Sequence, residues 1–247
     1  MWLFALLLQT ATADDPLKLG LNQSRLWIPE QKVAFIDAPA DTVAVRGTWT
    51  PALHLRGERV GTWPLAVHFE DGTEQTLVVE VVDAAFSPHA TRTVTLGVGS
   101  VLLLDDVGFV DARGSRGLHA STWGADAFTM FVATRVSRTG HYDLLLVPEP
   151  HRFDGTTPSS GDPDAIEIIA VHAVEAPITQ ASNAVEVAIG EEHVFPDMDD
   201  LELAPEDQVD VWQDGNGFRI RGESVGAFDL VGHRDGEPML VHVRVVP

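Results

Sequence analysis

The chain has 247 residues, 45% hydrophobic and 21% charged, with a formal net charge of −21 and no cysteine. The missing cysteines exclude a disulfide framework, a thiolate metal site and a cysteine nucleophile. The acidic field repels phosphate backbones and bare anionic membranes, which argues against nucleic acid as a partner.

In chain order, residues 1–13 read as a short signal peptide. An apolar run from Trp2 to Leu8 precedes Ala11-Thr12-Ala13, an A-x-A cleavage site, although no Lys or Arg stands before it. The run is too short to span a bilayer. The expected product is soluble and periplasmic or secreted.

Residues 17–82 then show seven short apolar or alternating runs split by Gly, Pro and Asp: Leu17 to Leu21, Leu26 to Ile28, Val33 to Ile36, Val43 to Val45, Leu53 to Leu55, Leu65 to Phe69, and Leu77 to Val82. Seven short strands with a turn signal about every ten residues predict a small β-sandwich. No segment keeps the apolar spacing of an amphipathic helix.

The stretch Arg56-Gly57-Glu58-Arg59-Val60-Gly61 returns as Arg221-Gly222-Glu223-Ser224-Val225-Gly226, and a weaker copy ends at Gly140. An aromatic residue, one spacer and a leucine follow in each copy: Trp63-Pro64-Leu65, Tyr142-Asp143-Leu144 and Phe228-Asp229-Leu230. Gly57, Gly61, Gly140, Gly222 and Gly226 are therefore read as structural turn glycines between strands. Leading glycines give the period: 41 residues separate Gly20 from Gly61 and Gly99 from Gly140, and 36 separate Gly190 from Gly226.

The repeat predicts an all-β chain of three tandem small Ig-like β-sandwich modules. After a linker at 83–92, module two covers 93–174, with a long hairpin loop at 148–164 rich in Pro, Gly, Ser and Asp. Residues 175–183 link onward to module three, 184–247. That module is acidic, with fifteen Asp and Glu against four Arg.

Module one resembles the N-terminal module of pilus-formation secretins of the tight-adherence (Tad) type. The likeness rests on Leu19-Gly20 and Gln23-Ser24 at the opening and on Asp37-Ala38-Pro39-Ala40-Asp41-Thr42 after an apolar strand. It continues through Leu53, Leu55, Gly57, Gly61 and Thr62, and ends on Asp71-Gly72 before a valine strand. Modules two and three share only the framework, which is also similar to bacterial Ig-like repeats of surface adhesins. No secretin channel domain follows Val246, so the resemblance implies a secretin-like accessory in pilus assembly rather than the pore.

Candidate sites are few. His151, His172 and His242 lack zinc spacing, and Ser121, Ser137 and Ser224 lack a nucleophile elbow. No catalytic residue and no cofactor is predicted. The stretch from Glu186 to Asp214 holds eleven Asp and Glu and no Lys or Arg. Within it Asp197, Asp199 and Asp200 are candidate calcium ligands without the EF-hand loop pattern. A basic protein partner or a plain solvated face are the other readings. The valine-rich final strands, Val78 to Val82 and Val241 to Val246, are expected either to pair with another chain as open edges or to be buried against the next module. The functional expectation is a non-catalytic exported structural or protein-binding component of a bacterial envelope assembly, partnered by an envelope or pilus-assembly protein, a secretin among them. The alternative is an adhesin-like surface protein that binds glycan.

Overall fold

Short runs of β-branched and leucine residues, interrupted by Gly, Pro and Asp, fold as strands throughout. The computed structural model describes residues 16–48, 50–108, 110–124, 129–148, 163–175, 184–203, 207–215 and 217–247. The expected signal peptide and most of the 148–164 loop lie outside them. Among the described residues there is no helix long and apolar enough to cross a membrane.

The first module contains β1 (Leu17–Gly20), β2 (Ser24–Trp27), β3 (Val33–Asp37), β4 (Val43–Gly47), β5 (Leu53–Gly57), β6 (Gly61–Phe69) and β7 (Glu74–Val82). The second contains β8 (Arg92–Gly97), β9 (Val101–Gly108), β10 (Val110–Gly114), β11 (Leu118–Gly124), β12 (Thr129–Val136), β13 (Gly140–Pro148) and β14 (Glu167–Val174). The third contains β15 (Val185–Ala188), β16 (Glu192–Phe195), β17 (Asp200–Glu202), β18 (Val209–Asp214), β19 (Gly217–Gly222), β20 (Gly226–Arg234) and β21 (Glu237–Val246).

Each set of seven forms the same pair of sheets. The four-stranded sheets run β1-β7-β6-β3, β8-β14-β13-β10 and β15-β21-β20-β17, and the three-stranded ones run β2-β5-β4, β9-β12-β11 and β16-β19-β18. The chain is thus three tandem Ig-like β-sandwiches. Inside each lies one apolar core, built around Leu19, Leu55 and Leu65 in the first, Val132, Leu144 and Ile169 in the second, and Ile220, Phe228 and Leu230 in the third.

Two sequence readings need correction. The valine-rich final strands are not edges: β7 lies between β1 and β6, and β21 between β15 and β20, because the first strand of each module pairs with the last in parallel. The repeat register also shifts by two at its opening. The amide of Leu21 donates to the carbonyl of Val82, that of Val98 to Val174 and that of Ile189 to Val246, which aligns Gly20 with Gly97 and Ala188. Gly99 and Gly190 instead align with Asn22, and all three have positive φ, at 89°, 78° and 59°.

The repeated glycines fall into two physical classes. Gly61 and Gly140 open their strands at φ of 142° and 143°, where L side chains are strained. Gly57 and Gly222 have no positive φ and are needed for close approach. A Cβ on Gly57 would sit 2.7 Å from Val81 Cγ1 and 2.9 Å from the carbonyl of Gly20. A Cβ on Gly222 would sit 2.8 Å from Val245 Cγ1 and 2.9 Å from the carbonyl of Ala188. Gly226 meets the side chain of Gln208.

The close-approach class separates experimentally from glycines in open space. Gly57→Ala and Gly222→Ala each destabilise their module by about 1–3 kcal/mol through overpacking. Gly47→Ala, which meets nothing within 4 Å, stays within about 0.5 kcal/mol of wild type. Denaturant titration of the three variants measures the difference.

Candidate functional site

The most unusual chemistry lies where one module meets the next. A strand buried on one face alternates apolar and polar residues, whereas one buried on both faces is apolar throughout. In β13 the run Leu144-Leu145-Leu146-Val147 is buried at every position. Leu144 and Leu146 enter the second core, while Leu145 and Val147 point the other way, into a separate cluster with Ala52, Ile166 and Ile168. Leu26 and Ile28 from module one pack against that cluster. The outer face of the sheet β2-β5-β4 therefore stacks on the outer face of β13 and β14.

The second joint repeats the arrangement. Val101, Leu103, Ala133 and Trp123 on the outer face of β9-β12-β11 meet Val231, Leu240 and Leu203 of module three. Six sheets thus lie in series, with cores and joints alternating between them.

Each joint is sealed by a buried aspartate at the same repeat position. Asp143 is 1% exposed. Its Oδ2 accepts the Ser24 amide at 2.5 Å and the Ser87 hydroxyl at 2.8 Å, and its Oδ1 accepts Gln23 Nε2 at 3.3 Å. All three donors belong to module one or to the segment after it. Asp229 is 4% exposed, and its Oδ2 accepts the amide of Val101 at 3.0 Å. Val101 occupies the repeat position of Ser24. The amide of Asp229 donates to the carbonyl of Gly99, and its Oδ1 lies 2.6 Å from Nδ1 of His242. Glu202 adds a polar clamp by accepting from Ser121 Oγ at 2.9 Å and Trp123 Nε1 at 2.5 Å. In module one the equivalent of these aspartates is Pro64, which is exposed.

Joint one also encloses a histidine and a group of arginines. His54 is 3% exposed and shares a 2.7 Å hydrogen bond with Ser24 Oγ. Arg56 Nη1 donates to the carbonyl of Gly114 and Arg113 Nη1 to that of Gly47, so each crosses the joint, while Arg56 also pairs with Glu58. Burial first, then the nearby Arg56, Arg113 and Arg46, push the His54 imidazole down to about 3. Burial pushes the Asp143 carboxyl up to about 6, against the lowering effect of its Ser87, Ser24 and Gln23 donors.

The other sequence candidates are not gathered into a site. Asp197 and Asp199 are exposed and flank the buried Met198, and the Asp200 carboxylate accepts from the amide of Leu201. Asp197 and Asp199 line a shallow polar cavity of about 390 Å³ with Arg234 and Asp235. Among the described residues no group of three or more His, Asp or Glu is placed to hold a metal ion. His172 stacks on His141, and His151 lies outside the described residues. Ser121 binds Glu202, while Ser137 and Ser224 hydroxyls donate to backbone carbonyls.

Sequence reasoning missed both aspartates because it treated the middle residue of the aromatic-x-leucine copies as a spacer. Its recurrence as Asp in modules two and three, each docked on the module before it, and its replacement by Pro64 in module one was the available signal.

No protein-family model matches the chain, and no curated protein matches it. Among solved structures it is similar to an endo-fucoidan hydrolase of glycoside hydrolase family 107, at 14% identity over 93% of this chain and 43% of that one, with a TM-score of 0.21. The chain therefore spans less than half of that hydrolase. It is also similar to the SGBP-B protein of a Bacteroides ovatus mixed-linkage glucan utilisation locus, at 11% identity over 98% and 69% of the two chains, TM-score 0.22. A tandem from titin matches at 7% identity over 94% and 96%, TM-score 0.18. None of these likenesses brings an activity to this chain.

Opposite pH slopes test joint one. Between about pH 4 and 6 the folded chain holds a proton on Asp143 that the unfolded chain has released, so this group's contribution to stability falls as pH rises. Between about pH 3 and 6.5 the unfolded chain binds a proton that folded His54 refuses, so its contribution rises with pH. In Asp143→Asn only the histidine slope remains. Relative to wild type, that variant loses about 1.4 kcal/mol more per pH unit on acidification from 6 to 4, and His54→Gln shifts in the opposite direction. Parallel stability profiles for all three proteins, measured by denaturant titration, would show that neither group titrates abnormally.

Proposed function

We propose that this chain is a non-catalytic, exported structural or protein-binding component of a bacterial envelope assembly, associated with a pilus or a secretin. The observation that supports it is the pair of sealed joints. Three sandwiches joined only by flexible linkers would pivot freely, as domains with small polar interfaces do. Here each neighbour is held by an apolar sheet face and by a carboxylate buried among directional donors from the other side. Such a stack holds whatever binds it at fixed spacing, which is a scaffold's task.

Its conserved plan across the three modules also fits the secretin-module resemblance of residues 17–82, which supplies the pilus context. The acidic third module extends the surface available to a basic partner, where rim charges raise the association rate and set its salt dependence.

The test is in-cell crosslinking of a tagged chain in its own host, followed by identification of the partners. A secretin or pilus-assembly protein should be enriched over an untagged control. Glycan-array binding with no envelope protein enriched would replace this reading with the adhesin one.

A further inference from the structure

The four-stranded sheet of the first module presents, among the described residues, the face that modules two and three use for docking. Pairing of the repeats places Ala66 at the position of Val231, His68 at that of His233 and Asp37 at that of Glu202. In joint two these positions do the recognising. Val231 is fully buried against module two, His233 lies 4.7 Å edge-on to Trp123, and Glu202 accepts from the Trp123 indole and the Ser121 hydroxyl. In module one the same side chains form a surface. Phe35 is 54% exposed and stacks on His68 at 4.1 Å, Asp37 lies 3.5 Å from His68 Nε2, and Pro64 is exposed beside Val78.

The outer face of the third module does not match this surface. The outer face of β16-β19-β18 carries Glu192, Arg219 and Asp214 where joint two has Val101, Ala133 and Trp123. These charges pair among themselves, Arg219 with both Glu192 and Asp214, and Arg221 with Asp210 and Glu223. Covering the Arg219 group with an apolar sheet would strip water from Glu192, Arg219 and Asp214 at a cost their attraction does not recover. Pro64, moreover, has no carboxylate to receive the amide that Asp229 receives. Head-to-tail growth of copies, the open-ended contact that makes filaments, is therefore disfavoured at both ends.

We propose that the outer face around Phe35, Asp37, Ala66 and His68 is a docking surface for a β-sandwich module of another protein. That module presents an apolar three-stranded sheet face with an indole or hydroxyl donor to meet Asp37. The inference rests on the reading of this chain as a protein-binding component and names the surface and the chemistry of its partner. Continuity with joints one and two carries it: the same face, at the same repeat positions, is covered by a neighbouring three-stranded sheet in both other modules, and that sheet is apolar in joint two.

The test writes the residues of joint two onto the free end of the full chain. Wild type should sediment as a monomer. Glu192→Val/Asp214→Trp/Arg219→Ala should associate with concentration, and adding Ala66→Asp should return it to monomer, while Ala66→Asp alone keeps the wild-type circular dichroism. A triple variant that stays monomeric, association that survives Ala66→Asp, or a wild-type oligomer would overturn the proposal. A second measurement does not depend on the triple variant folding. A photo-crosslinking residue at Phe35 in the host should capture a protein containing a β-sandwich module that the same residue at Val225, 60% exposed, does not. Capture of one envelope partner equally from both positions, or from Val225 alone, would sink this surface while leaving the envelope reading intact.

Discussion

A carboxylate taken out of water must be matched by donors, and that constraint shapes both joints. An apolar face can slide over another apolar face at little cost, since dispersion and the hydrophobic effect have no direction. Asp143 removes that freedom. Its oxygens are satisfied only where the Ser24 amide, the Ser87 hydroxyl and the Gln23 amide group converge, and a slip of one residue leaves the charge buried without partners. Leu145, Val147, Ile166 and Ile168 make the first joint adhere; Asp143 gives it a register. The aspartate is weak evidence for extra stability, because its desolvation opposes its hydrogen bonds, but it is a strong constraint on geometry.

The same logic explains why the three modules differ while sharing one plan. The middle module must be apolar on four sheet faces, two inside its own core and two at the joints. Its β13 accordingly loses the alternation that β6 keeps, where Leu65 and Val67 are buried and Pro64 lies exposed. The third module keeps an inner apolar face and turns its last outer face into cross-strand ion pairs. In stacked-repeat proteins such a polar outer face keeps an uncovered repeat soluble.

Most of the architecture was legible in the sequence because strand period and turn chemistry are local. The seven apolar runs of module one correspond to β1 through β7, and Gly-x-x-x-Gly does join β5 to β6 and β19 to β20. What escaped was non-local. That β1 pairs in parallel with β7 follows from a contact across some sixty residues, so the valine strands read as edges when they are interior. Leu145 and Val147 were in plain view between Leu144 and Leu146, yet an alternating template counts only every second residue and discards the ones that face a neighbour. Asp143 was passed over for a related reason: an acidic residue in a strand is ordinarily solvated, and only the partner module makes it a buried acceptor.

One side chain shows how a single repeat position serves both a joint and a free end. Arg56, Arg135 and Arg221 each precede the residue that aligns Gly57, Val136 and Gly222. In joint one Arg56 is 8% exposed, reaching Gly114 across the interface while Glu58 holds its guanidinium. At the open end the equivalent Arg221 binds Glu223, the counterpart of Glu58, along with Asp210, and lies over Trp212. An arginine can do both because its stem covers apolar sheet while its head follows a carboxylate supplied two residues on. The local Arg-x-Glu pair forms before any neighbour arrives, so docking buries a guanidinium that is already neutralised. A lysine would bring a compact, strongly hydrated charge to the same place and lose more on burial. The Arg-Gly-Glu copies that mark the repeat thus encode a strand end that tolerates either water or another module.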